Sequence, residues 1–253
     1  MRNLYLLLLL FLCGCTGKGW TAESIDYRVI SSVPHDSGLF TQGLLIEDGL
    51  LYEGTGQYGA SRLLRYRDDY QTAAVVRPLP ARYFGEGIAI LDNQLYQLTW
   101  RSGDVFVYNP SSFERLRQFR IDGEGWGITE DGTHLWMSNG SSQLIQLTGQ
   151  GEEIGRVSVT WEGTPLDRLN ELEWIEGEIW ANRWYDNKLY RISPETGEVT
   201  GILDLDELAR PHLDNREKVL NGIAWDDRDN SLWVTGKYWD RLYQLSLQSD
   251  RPD

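Results

Sequence analysis

Short runs in which apolar and polar residues alternate recur along most of the chain, the period of half-buried β-strands. They come in a fixed order. Each set opens on a residue placed just ahead of a Gly-apolar pair: Gln42-Gly43-Leu44, Glu86-Gly87-Ile88, Trp126-Gly127-Ile128 and Asn221-Gly222-Ile223, with Asn170-Glu171-Leu172 as a variant. A second run follows each opening, at Leu51-Tyr52, Leu95-Tyr96, Leu135-Trp136, Ile179-Trp180 and Leu232-Trp233. A third follows at Leu63–Tyr66, Val105–Tyr108, Leu144–Leu147, Leu189–Ile192 and Leu242–Leu245. Turn signals such as Glu47-Asp48-Gly49, Asp131-Gly132 and Glu176-Gly177 separate them. Weaker fourth runs are expected at Ala73–Leu79, Leu116–Ile121, Ile154–Val159 and Val199–Leu205.

Three strands and a weaker fourth, repeated roughly every 40 to 50 residues, describe the blade of a β-propeller. The expected fold is all-β, a five-bladed β-propeller of four-stranded blades. The fifth set lacks a fourth run, whereas Tyr27–Val33 precedes the first set and has no set of its own. It is expected to close the ring as the outer strand of the last blade, which leaves no long exposed edge. The longest interval, Gly201–Leu220, carries a short helical pattern at Asp204–Ala209 and is expected to be a surface insertion rather than a lid over a substrate.

The N-terminus departs from this pattern. Arg2 precedes an apolar run, Leu4–Leu12, that is too short to span a bilayer and has the shape of a secretory signal. Leu12-Cys13-Gly14-Cys15 resembles a bacterial lipoprotein box, which implies cleavage before Cys15 and a lipid on its sulfur. Residues 1–14 are therefore expected to be a signal peptide, 15–23 a tether and 24–253 the propeller. The expected location is the periplasmic side of a bacterial cell envelope, with membrane contact only through the anchor at Cys15. Both cysteines lie at this end, so the propeller contains no disulfide and must rest on its core.

Composition narrows the partners. The formal charge of −14 argues against phosphate-backbone binding, so no nucleic-acid partner is expected. It leaves a mild attraction for cationic ligands such as free amines. Against 6 Phe there are 11 Trp and 13 Tyr, an excess that suggests a pocket lined with indoles.

In a propeller the first strand of every blade lines the central channel, and ligands sit at one mouth. Gln42, Glu86, Trp126, Asn170 and Asn221 are therefore expected to converge, one carboxylate and an indole among three amides. Trp100, Trp184 and Lys237-Tyr238-Trp239 are expected around them, whereas Trp136, Trp180 and Trp233 read as packing residues. His35, His134 and His212 are dispersed, so a histidine metal site is not expected. Asp226-Asp227-Arg228-Asp229 has the acidity for a structural calcium ion but reads as a solvated hairpin turn. Gly56–Gly59 and Gly123–Gly127 lack the strand–helix context of a phosphate loop.

Eight motifs carry a resemblance that spans nearly the whole chain beyond residue 39. Phe40-Thr41-Gln42-Gly43-Leu44, Phe84-Gly85-Glu86-Gly87, Leu98-Thr99-Trp100, Gly125-Trp126-Gly127, Leu169–Trp174, Ala181-Asn182-Arg183-Trp184, Leu220–Ala224 and Val234-Thr235-Gly236-Lys237 resemble, in order and spacing, the glutamine cyclotransferases of plants and bacteria. The resemblance implies a five-bladed propeller that converts an N-terminal glutaminyl residue of a peptide or protein to pyroglutamyl with release of ammonia. It implies a catalytic Glu86 and a substrate pocket of Phe40, Gln42, Phe84, Trp100, Trp126, Asn170, Trp184 and Lys237. It implies no cofactor for catalysis, and a monomer is expected. Two other readings stand beside it. A non-enzymatic scaffold lipoprotein would not need a carboxylate among indoles and amides at the channel mouth. A metal-dependent lactonase- or dehydrogenase-like propeller would need more inner-strand ligands than Glu86, Glu171 and Glu173 provide.

Overall fold

A computed structural model describes residues 22–212 and 214–248. The proposed signal peptide, most of the tether and Cys15 lie outside the described residues.

The strand β1 (Glu23–Pro34) leads into an antiparallel sheet of β2 (Thr41–Glu47), β3 (Leu50–Thr55), β4 (Arg62–Tyr66) and β5 (Ala73–Pro78). A second sheet holds β6 (Gly85–Leu91), β7 (Gln94–Thr99), β8 (Asp104–Tyr108) and β9 (Arg115–Arg120); a third holds β10 (Ile128–Glu130), β11 (Leu135–Ser138), β12 (Gln143–Leu147) and β13 (Glu153–Ser158). After a small hairpin, β14 (Thr160–Trp161) and β15 (Thr164–Pro165), come β16 (Leu169–Ile175), β17 (Glu178–Arg183), β18 (Lys188–Ile192) and β19 (Val199–Asp204). The short helix α1 (Asp206–Ala209) precedes β20 (Leu220–Asp226), β21 (Ser231–Gly236) and β22 (Arg241–Gln248). The last seven long strands and β1 form one eight-stranded sheet, in the order β16-β17-β18-β19-β1-β22-β21-β20.

Strand β1 holds that sheet together. It runs antiparallel along β22, Asp26 opposite Gln248 and Pro34 opposite Arg241, so the spare N-terminal strand does complete the last set. Its first residues also pair in parallel with β19, Glu23 opposite Gly201, which the sequence pattern did not anticipate. The first strands of the sets pack in a cycle: β2 on β6, β6 on β10, β10 on β16, β16 on β20, and β20 on β2. Apolar clusters lie between successive sheets, such as Ala89, Tyr96, Leu98 and Val107 against Ile128, Leu135 and Met137.

The cycle is tight because its contacts are backbone on backbone. A Cβ on Gly43 would lie 2.6 Å from the Ile88 nitrogen, and one on Gly127 would lie 2.0 Å from the Asn170 carbonyl oxygen. This is why the opening motif carries glycine. The variant Asn170-Glu171 is not a degenerate copy. The buried Glu171 carboxyl accepts the Leu44 N–H at 3.3 Å and the Ile223 N–H at 2.8 Å, and so bridges β2 and β20. Glu173 accepts the Trp225 N–H at 2.8 Å, so both acids serve backbone donors.

The interval Gly201–Leu220 is less superficial than expected. Leu205, Leu208 and Ala209 are buried, and the His212 ring stacks on Trp239 at 4.3 Å with its Nε2 against the Tyr243 hydroxyl. Its start is β19, and the helical pattern is realised only at Asp206–Ala209.

A buried ion pair fastens the chain between β1 and β2. Glu53, fully buried, accepts the Thr41 hydroxyl at 2.7 Å and the Tyr66 hydroxyl at 2.5 Å and faces His35 Nε2 at 3.2 Å. His35 Nδ1 donates to the Trp239 carbonyl at 2.9 Å. Burial opposes protonation of His35, but Glu53 and this carbonyl overcome it and lift the pKa from 6.5 to about 9. The folded imidazole therefore holds its proton more tightly than the unfolded one. That stabilisation is complete below pH 6.5 and fades as pH rises through about 9. Lys237, depressed from 10.5 to about 8, works in the opposite sense above pH 8. The His35 contribution to unfolding stability is accordingly expected to fall by about 2 kcal/mol between roughly pH 6.5 and 8. Denaturant titrations should show stability falling over that window by about that much more in the wild type than in His35→Gln; equal slopes would remove His35 from this role.

Candidate active site

A small irregularity in four of the five first strands builds the site; in the other set Trp126 lies just ahead of β10, which pairs without a skip. The pairing with the second strand skips between Thr41 and Gly43, Gly85 and Ile88, Leu169 and Leu172, and Leu220 and Ile223. The skipped residues are Gln42, Glu86-Gly87, Asn170-Glu171 and Asn221-Gly222. Freed from the ladder, Gln42, Glu86 and Asn170 of these are brought to one cavity at one end of the ring, the usual service of a bulge beside a site.

There a cavity of about 220 Å³ is lined by Phe40, Gln42, Gln57, Phe84, Glu86, Trp100, Trp126, Asn170, Trp184 and Lys237. All nine residues assigned to catalysis and substrate binding from the sequence are among them. The polar residues form a buried floor: Gln42, Glu86, Asn170 and Lys237 are each at most 4% exposed. The aromatic rings form half-buried walls in edge contact, with Trp126 on Trp184 at 5.6 Å, Phe84 on Phe40 at 5.9 Å and Phe84 on Trp100 at 5.5 Å. Lys237 Nζ sits 4.7 Å from the centre of the Phe40 ring, a cation–π contact.

Three expected members are placed elsewhere. Tyr238 is not part of the lining and packs its ring against Phe40 at 5.2 Å. Asn221 does not reach the cavity; it lies beneath the floor and donates to the Thr41 carbonyl at 3.0 Å and to Gln42 Oε1 at 3.4 Å. Trp239 turns into the core, fully buried, with its indole against Gly236. Gln57 is the residue that the sequence reading missed. The residue after the second strand is Trp100, Trp184 or Lys237 in three of the other sets but Gly56 here, and the Phe84 ring occupies the space a side chain would take. Gln57 follows with φ at 87°, a left-handed conformation that brings its side chain into the cavity instead. A glycine where its counterparts carry Trp or Lys was the available signal.

Burial dominates the electrostatics. It raises the pKa of Glu86 well above the usual carboxylate range, with Lys237 and Gln42 opposing and Glu124 adding to the rise. Burial lowers Lys237 to about 8 against the pull of Glu86. Glu86 Oε2 and Asn170 Oδ1 are buried and find no hydrogen-bond partner among the described residues. Unsatisfied buried acceptors are costly, and two in one cavity suit a ligand rich in N–H donors. One carboxyl beside a buried ammonium is not the anionic donor set of a divalent metal. At Asp226–Asp229, Asp226 is held by Arg228 at 2.7 Å, and Asp229 accepts from Ser231 and Gln244. A larger hollow, about 490 Å³, opens at the other ends of β2 and β6 among Glu47, Glu130 and Glu173; it contains none of the residues assigned from the sequence.

A cage of aromatic rings over one buried carboxyl and one buried amine defines a site for acid–base chemistry on a small donor-rich group. Comparison with known proteins agrees with this. Residues 5–247 match the family described as glutamine cyclotransferase. The chain is 35% identical over 229 residues to a glutaminyl-peptide cyclotransferase of Arabidopsis thaliana, a match covering 88% of this chain and 72% of the plant protein. It resembles the crystal structure of Myxococcus xanthus glutaminyl cyclase with a TM-score of 0.84 and 32% identity, covering 90% of this chain and 98% of that one. The chain belongs to the glutamine cyclotransferase family.

Proposed function

We propose that the protein is a glutaminyl-peptide cyclotransferase, closing N-terminal glutaminyl residues to pyroglutamyl with release of ammonia, and that Glu86 moves the protons. The observation that carries this reading is the pair of unsatisfied acceptors, Glu86 Oε2 and Asn170 Oδ1, in a cavity sized for one residue. An N-terminal glutaminyl residue supplies donors for both, its α-amine and its carboxamide NH2.

The reaction needs the side chain folded back so that the α-nitrogen meets the carboxamide carbon. Confinement between Phe84, Trp100, Trp126 and Trp184 supplies that proximity. An arriving α-ammonium favours the ionised form of Glu86, which then accepts a proton from it. The nitrogen–carbon bond forms, and the carbonyl oxygen takes the negative charge. Lys237, protonated at neutral pH, and the Gln42 amide are the donors for that oxygen. Glu86 returns its proton to the carboxamide nitrogen, the carbon–nitrogen bond breaks and ammonia leaves. The second proton of the ring nitrogen passes through Glu86 to the departing ammonia, and the carboxylate is restored. No step calls for a cofactor.

The five sets of strands read as the five blades of a propeller, with β1 as the outer strand of the last. The Cys15 box supports a lipid-anchored protein facing the periplasm.

Mass spectrometry of a Gln-initiated peptide incubated with the protein should show loss of one ammonia, and the N-acetylated peptide should stay intact. Turnover should persist in the presence of a chelator. A folded protein that leaves the free-amine peptide unchanged would overturn the assignment.

A further inference from the structure

Glu124 lies outside the cavity, in the Gly123-Glu124-Gly125 stretch ahead of Trp126, and the mechanism above makes no use of it. Its Oε2 accepts the indole N–H of Trp100 at 2.7 Å and that of Trp126 at 3.0 Å. Its Oε1 faces Arg101 Nε at 3.4 Å, and the Arg101 guanidinium lies 3.9 Å over the Trp100 ring. One carboxylate oxygen therefore holds two of the three indoles that wall the cavity. The two come from different sheets, Trp100 just after β7 and Trp126 just before β10.

Both rings are half-buried and line the cavity, so packing does not fully enclose them. The second torsion of a tryptophan is broad, and a hydrogen bond at Nε1 is what fixes the plane of such a ring. Bonds to a charged acceptor are the stronger kind.

We propose that Glu124 is a positioning residue of this site, orienting Trp100 and Trp126 from behind and placing a negative charge near Glu86. The proposal rests on the glutaminyl-cyclase reading of the cavity. The groups acting on Glu86 are Lys237 and Gln42, which favour its carboxylate, and Glu124, which disfavours it; Arg101 faces Glu124 from the solvent side. The two roles of Glu124 separate chemically. Gln at this position keeps an oxygen acceptor for the indoles but removes the charge, whereas Ala removes both.

The test compares wild type, Glu124→Gln and Glu124→Ala on a Gln-initiated peptide across pH, alongside near-ultraviolet circular dichroism of the indoles. Glu124→Ala should raise KM about tenfold, and Glu124→Gln should recover most of that loss. In both variants the acid limb of the kcat profile should move to lower pH, because Glu86 ionises more readily without the neighbouring charge. The indole bands should survive in Glu124→Gln and weaken in Glu124→Ala. A wild-type KM with unchanged bands in Glu124→Ala, a Gln variant as impaired as the Ala variant, or an acid limb unmoved in both would each overturn the proposal. Should Glu124→Ala fail to fold, the acid limb of Glu124→Gln decides. Absence of turnover in the wild type would instead count against the glutaminyl-cyclase reading, and the indole bands would still report the hold of Glu124 on the two rings.

Discussion

Glu86→Gln is expected to lower kcat about 10³- to 10⁴-fold while the protein stays folded. The exchange is nearly isosteric, and the amide can neither accept the proton of the α-amine nor return it to the leaving nitrogen. Stability should change little, because burial already favours the uncharged form of Glu86 and an amide is uncharged too. Glu86 differs from Glu171, another buried acid of the inner strands. Glu171 is as buried, but each of its oxygens accepts a backbone N–H, which makes it a structural bridge. Glu86 has an oxygen to spare. Ammonia release measured beside a thermal melt checks the prediction. A folded Glu86→Gln protein with kcat within tenfold of wild type would remove Glu86 from proton transfer.

Much of this site was legible in the sequence, because its residues occupy repeated positions. Gln42, Glu86, Trp126 and Asn170 open their sets, and Trp100, Trp184 and Lys237 follow the second strands, so alignment of the repeats alone gathered them. What stayed hidden depends on geometry without a period. The skipped pairs at Gln42 and Glu86 leave the alternation intact on either side, so no run of residues announces a bulge. Asn221 aligns with the pocket residues, yet its amide is spent on the Thr41 carbonyl and Gln42. Trp239 sits in a loop like Trp100 and Trp184, but Gly236 leaves a hollow that its ring fills from the core side. Gln57 and Glu124 act through a left-handed backbone and a contact between sheets. Neither leaves a mark in hydrophobic patterning.

The glycine of the opening motif gives the largest expected effect on stability. In Gly127→Ala the new Cβ would lie 2.0 Å from the Asn170 carbonyl oxygen and 2.8 Å from the Glu171 Cα, both backbone atoms. No rotation of a side chain relieves that, so β10 and β16 would have to part. Each is also packed against the next first strand of the cycle, β6 on one side and β20 on the other, so the opening cannot be local. A cost above about 4 kcal/mol is expected, in the range of severe overpacking. Gly132→Ala is the matched control. Its φ of 85° strains an alanine, but a Cβ there meets nothing within 4 Å, so only about 1–2 kcal/mol of backbone strain is expected. Urea unfolding of the two variants separates close approach from backbone conformation. Where Gly127→Ala retains a folded fraction, KM should rise as well, because the atom it displaces belongs to Asn170 on the cavity floor. Equal midpoints for the two variants would mean that the first strands have room between them, and the motif glycine would then need another explanation.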